Sequence, residues 1–249
     1  MGKLLIFNFI LIAIIALGLW AVKKSVKRQH SQDLLLGAAA IFTILFHYST
    51  FLFKLLSGSD AMAYLSDTPN LILPIYPCNV VMWSALIFAL LKNKKSRFGM
   101  FLGDYLFWFG IISTLVGMFA NVDFINNPTL ADYENVKSIA AHATLLFNVL
   151  LLPIFGCIKI HMKRNMTHII LSIFMMGAIG IYCNLVFHAL AGADAAYDVN
   201  SMFMIHSPFE GLPFLTYPVI GLIAVPFYFI LFAVCASVSR KLRKDGCKK

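Results

Sequence analysis

Charge is what this sequence has least of. Only 12% of its 249 residues are Asp, Glu, Lys or Arg, about half the share of a soluble domain. With 60% hydrophobic residues, that shortage excludes an ordinary soluble fold, and it excludes disorder as well. Cysteine is sparse and unpatterned: Cys78, Cys157, Cys183, Cys235 and Cys247 form no CxxC and no metal-type spacing. Their odd number, with four of them inside apolar stretches, argues against a disulfide framework. The last apolar stretch has no lysine, which excludes a retinal Schiff base there. It also has no histidine, so it lacks the close-spaced histidine pair of the seven-span zinc hydrolases.

What the chain does have is length of apolar run. Crossing the hydrocarbon takes about 20 helical residues, and seven stretches reach that size: Leu4 to Val22, Leu34 to Phe53, Leu71 to Leu91, Phe98 to Val122, Ser138 to Ile158, Asn165 to Leu190 and Gly211 to Ser239. Backbone groups in lipid must be satisfied internally, so each reads as a helix. The expected fold is all-α: a polytopic membrane protein, a seven-transmembrane-helix bundle forming a single domain over residues 1–249. The first run is 19 residues long and its basic cluster follows it. A signal peptide has the opposite order and a shorter run, so this segment is expected to remain as a span.

Charge then orients the chain. Seventeen of the twenty basic residues fall after the first, third, fifth and seventh stretches, in Lys23–Arg28, Lys92–Arg97, Lys159–Arg164 and the Arg240–Lys249 tail. The opposite side holds only Lys3, Lys54 and Lys137, with eight of the eleven acids. The positive-inside rule therefore expects the N-terminus outside and the C-terminus in the cytoplasm. The net charge of +9 is read as topology signal and anionic-lipid contact. Nucleic acid is not an expected partner.

Ionisable groups inside a span are costly and need a reason. Counting about 1.5 Å per residue, His47, Cys78, His142, Asn184 and His188 all fall within roughly 10 Å of the outer boundary. Cys78 stands apart from the other cysteines through its context, Leu73-Pro74-Ile75-Tyr76-Pro77-Cys78-Asn79. Two prolines remove helix donors and free nearby carbonyls. If the helix restarts at Pro77, Cys78 lies in its first turn, where a dipole end favours thiolate. A neighbouring His142 or His47 would then act as base. A water-accessible cavity at this level, open to the outer leaflet, is expected. A zinc site from His47, Cys78 and His142, or haem ligated by two of His47, His142 and His188, is chemically open. Neither has the usual ligand spacing, and no metal or cofactor is expected.

Several motifs in order resemble one known family. LPIYPCNV (Leu73 to Val80), FWFGIISTLVGMFANVDF (Phe107 to Phe124), AHATLLFNVLLLP (Ala141 to Pro153), Asn184 and NSMFM (Asn200 to Met204) resemble the YwaF-type bacterial integral membrane proteins. Glu210-Gly211-Leu212-Pro213-Phe214 stands where that family has a tryptophan-rich Gly-Pro segment. A distant eukaryotic relative is an ether-phospholipid acyltransferase with a catalytic cysteine in the motif that Cys78 matches. The resemblance implies a lipid acyltransferase or acyl hydrolase near the outer leaflet of a bacterial cytoplasmic membrane. Cys78 would be acyl carrier, His142 the base, and His47, Asn79, Asn184 and His188 substrate-binding residues. The implied partner is a membrane phospholipid or acyl lipid. A small-molecule or lipid transporter using the same polar level is the other expectation.

Overall fold

The computed structural model describes residues 2–119, 129–192, 199–207 and 211–246. Among them the secondary structure is helical throughout: α1 Gly2–Ser25, α2 Gln29–Leu56, α3 Ala61–Asp67, α4 Pro77–Leu90, α5 Arg97–Phe119, α6 Tyr133–Ile154, α7 Met162–Ala191 and α8 Tyr217–Gly246, with short 3-10 turns at Pro69–Leu71 and Ser201–Phe203. Six of these helices are long and apolar enough to cross a membrane.

The stretch Leu71 to Leu91 departs from expectation. Its helical part is only Pro77–Leu90, too short at 1.5 Å per residue to span the hydrocarbon alone. Pro74 and Pro77 are the cause, since neither can donate into a helix. The last stretch also starts late, at Tyr217, because Gly211 to Thr216 is turn and not helix.

The chain divides into two compact units, residues 1–158 and 159–249. In the first, α6 packs on α2, α5 and α1, and α4 packs on α2 and α5. The apolar window of α6 is 56% buried against 11% for α1, which makes α6 the centre of this bundle and α1 an outer helix. Lipid is as apolar as leucine, so polar pairs and close packing hold such helices together. Asn8 of α1 donates to the Met118 carbonyl of α5 at 2.6 Å. Asn148 of α6 donates to the Leu36 carbonyl of α2 at 3.1 Å, and the Thr43 and Thr144 hydroxyls join the same two helices at 3.1 Å. At Gly110 a Cβ would lie 2.8 Å from Val149 and 3.2 Å from Val81, so the crossing of α5 with α6 and α4 requires glycine.

The two ends of this unit differ in chemistry. At one, Lys94 pairs with Asp33 at 2.9 Å and caps α4 through the carbonyls of Ala89 and Leu91. At the other, α2, α3 and the start of α6 meet through Tyr133, Ser49, Thr50, Tyr64, Glu134 and Lys137.

In the second unit α7 packs on α8 and on the Ser201–Phe203 turn. Tyr217 donates to the Ile173 carbonyl at 2.6 Å. The Asn200–Phe203 segment carries three positive φ values, 44° at Asn200, 54° at Met202 and 57° at Phe203. Asparagine tolerates this region; methionine and phenylalanine do so at a cost. The Asn200 side chain secures the turn by accepting from the Ile205 and His206 amides and donating to the His206 carbonyl.

Candidate active site

The segment leading to Cys78 is extended and irregular between the 3-10 turn and Pro77. The 3-10 turn that leads into it is held by side chains of α2. Tyr48 donates to the Leu71 carbonyl at 2.9 Å, and His47 Nε2 donates to that of Asn70 at 3.4 Å. A broken span is tolerated where protein re-satisfies the backbone. His47, expected to bind substrate, thus has a supporting role on this segment.

The helix does restart at Pro77, with Tyr76 as its N-cap. Cys78 is therefore in the first turn, and it is half-buried. Asn79, also expected to bind substrate, is buried, and its Oδ1 accepts the Tyr76 amide at 3.2 Å. The Asn79 and Val80 amides bond the Tyr76 carbonyl at 3.0 and 3.4 Å. Helix-start amides of this kind attract negative charge, whether a thiolate or the oxyanion of an acyl adduct.

His142 lies one turn into α6 beyond Ser138. Its Nδ1–H donates to the Ser138 carbonyl at 2.8 Å, which fixes the tautomer and leaves Nε2 with the lone pair. The ring rests directly on α5: a Cβ at Gly117 would fall 2.1 Å from Nε2 and Cδ2. Only glycine leaves room for the imidazole there. The hydroxyl pair of Thr43 and Thr144 sits one turn from His47 and two residues beyond His142, so the two histidines are carried by helices in direct contact.

Cys78 and His142 belong to the same unit, on helices α4 and α6 that touch. Among the described residues no hydrogen bond joins the thiol to either histidine. No three His, Cys, Asp or Glu side chains converge into a metal-binding group among them either. Among the described residues, one open groove is lined by Ile181, Asn184, Leu185 and His188, and another by Phe42, Leu45, Phe46, Ser49 and Tyr133. Neither contains Cys78 or His142, where a cavity was expected.

Asn184 and His188 lie in the second unit. Asn184 Oδ1 accepts the Ser201 amide at 2.9 Å and holds the strained turn against α7. His188 is exposed on the same groove as Ile181 and Leu185.

Sequence reasoning passed over three features of this region. Gly117 reads as one small residue among many, and only the fold shows that it seats an imidazole. Asn8, a lone amide in an otherwise apolar stretch, carried a usable signal. Lys137 was counted with the outer charges, yet it is only 8% exposed.

A family model, described as the TMEM164 family, matches residues 2–238, nearly the whole chain. No curated protein and no solved structure matches.

Proposed function

The chain belongs to the TMEM164 family, and from that premise we propose that it is a membrane-embedded, cysteine-dependent lipid acyltransferase or acyl hydrolase working near the outer leaflet. The observation that carries this reading is the placement of Cys78. It opens a helix straight after a proline-broken segment, and α2 side chains hold the turn that leads into that segment. Within the family, the ordered motifs around Cys78, His142 and Asn200 support a YwaF-type member and, through it, acyl chemistry. Residues Ile72–Tyr76 with α4 complete a seventh crossing in this reading. The charge alternation puts the N-terminus outside and the C-terminus in the cytoplasm of a bacterial cell.

The reaction divides into two transfers. The Cys78 thiol gives its proton to His142 Nε2 as sulfur attacks the acyl carbonyl of a donor lipid. The tetrahedral oxyanion is stabilised by the positive end of the helix that starts at Pro77. It collapses to a Cys78 thioester, and the lysolipid oxygen leaves with the proton from His142. An acceptor hydroxyl, or water in the hydrolase, then loses its proton to His142 and attacks the thioester, and sulfur departs as the recovered thiol. With no direct hydrogen bond between thiol and imidazole, a water or the substrate itself bridges them.

That missing bond is also the observation favouring the second reading, a lipid or small-molecule transporter that has no use for a nucleophile. A haloacyl lipid probe separates the two. Cys78 is expected to be alkylated at least about tenfold faster than Cys157 or Cys183, because of the three only it lies in the first turn of a helix, and that helix packs on the one carrying His142. Site-resolved mass spectrometry of the labelled chain gives the rates. Equal labelling of the three, or none at Cys78, favours the transporter.

A further inference from the structure

A second polar centre lies at the outer end of the first unit, and the acyl-transfer steps make no use of it. Lys137 of α6 is 8% exposed. Its Nζ donates to the Thr50 hydroxyl of α2 and the Tyr64 hydroxyl of α3, each at 3.1 Å, and pairs with Glu134. Both hydroxyls pass their own protons on to the same carboxylate, Thr50 at 2.5 Å and Tyr64 at 3.3 Å. Three donors from three helices therefore converge on one set of anionic oxygens.

The partners of this cluster are unequally buried. The lysine is enclosed, whereas the Glu134 side chain is 47% exposed. A buried lysine needs an anionic partner, and here the carboxylate that serves is the member of the cluster that reaches water. A second cation adds to the field, since Lys54 Nζ lies 5.5 Å from the Tyr64 ring centre and Lys137 Nζ 5.7 Å. Lys54 and Lys137 both stand beside Glu134. The nearby Asp60 and Asp132 carboxylates are turned to backbone amides, as N-caps of α3 and α6.

We propose that Thr50, Tyr64 and Lys137 form a cradle for the phosphate of a phospholipid headgroup, and that the Glu134 carboxylate is its intramolecular competitor. This deepens the lipid-substrate reading and rests on it. A phosphate diester offers the same two-oxygen face as the carboxylate, and it accepts from one ammonium and two hydroxyls in the same way. The cradle sits at the end of the unit where the acyl-transfer reading places headgroups. His47 lies on the same helix as Thr50, one turn before it, and bonds the Asn70 carbonyl in the turn ahead of the Cys78 segment.

The test is a binding titration on the full-length Cys78→Ser protein in detergent micelles, which stops turnover. The probes are dioctanoyl phosphatidylglycerol, dioctanoylglycerol and inorganic phosphate. Removing the competitor with Glu134→Gln is expected to tighten the phospholipid several-fold. Lys137→Met is expected to weaken it at least about tenfold. Neither is expected to change binding of the phosphate-free dioctanoylglycerol. Should Lys137→Met fail to fold, Thr50→Val and Tyr64→Phe keep the ion pair and each remove one donor, with a several-fold loss expected for phospholipid alone. If Glu134→Gln weakens phospholipid, or the variants shift both lipids equally, the cluster is a structural clamp and the proposal is overturned. If inorganic phosphate binds as tightly as the lipid with the same variant pattern, the headgroup assignment is overturned in favour of free phosphate. Because binding is read without a working thiol, each of these results stands apart from whether Cys78 carries acyl groups.

Discussion

Replacing Cys78 by serine is expected to lower acyl transfer by at least about 10³-fold, with phospholipid binding unchanged. Loss of a covalent nucleophile removes the route itself, and such losses reach this size or more. A serine hydroxyl at the same position is a far weaker nucleophile than a thiol at neutral pH. Little packing changes on exchanging sulfur for oxygen at a half-buried site, so the variant is expected to fold. The check is release of labelled fatty acid, or its transfer between lipids, by purified protein in micelles. The transporter reading expects no such dependence, since a binding site needs no thiol.

The second large effect is expected at His142. His142→Ala is expected to slow formation of the acyl-enzyme by about 10²–10⁴-fold, the usual contribution of a general base. Its partner experiment uses the seat of the ring. A methyl group at Gly117 would fall 2.1 Å from Nε2, so Gly117→Ala is expected to push the imidazole aside at a stability cost of about 1–3 kcal/mol. Gly117→Ala is therefore expected to approach His142→Ala in rate while keeping its helical circular dichroism and a cooperative melt. Pre-steady-state measurement of thioester formation separates this step from deacylation. If both variants react at the wild-type rate, His142 is not the base.

How much of this was legible beforehand follows from the kind of signal each residue carries. Burial in lipid writes long apolar runs into the sequence, so the six long helices were readable, and so was the restart at Pro77, because proline acts locally. The shortness of α4 was half-readable. Prolines mark the break, but what makes it tolerable is Tyr48 and His47, more than 20 residues earlier. Depth counting placed His47, Cys78 and His142 at one level without giving lateral neighbourhood. The structure puts all three in one unit and shows His47 and Asn79 bonded to backbone groups. The Gly117 seat and the Lys137 cluster depend on which faces of α2, α3, α5 and α6 meet. That is a tertiary fact, and no local pattern encodes it.

The central claim is that Cys78 carries an acyl group, and it is tested most directly by peptide-level mass spectrometry. The wild-type protein is incubated with a phospholipid acyl donor and no acceptor, quenched in acid and digested. The account predicts an added acyl mass on the peptide bearing Cys78, lost on treatment with neutral hydroxylamine and absent from Cys78→Ser. Turnover of the donor with no adduct at Cys78, or with Cys157 and Cys183 acylated to the same extent, would contradict it.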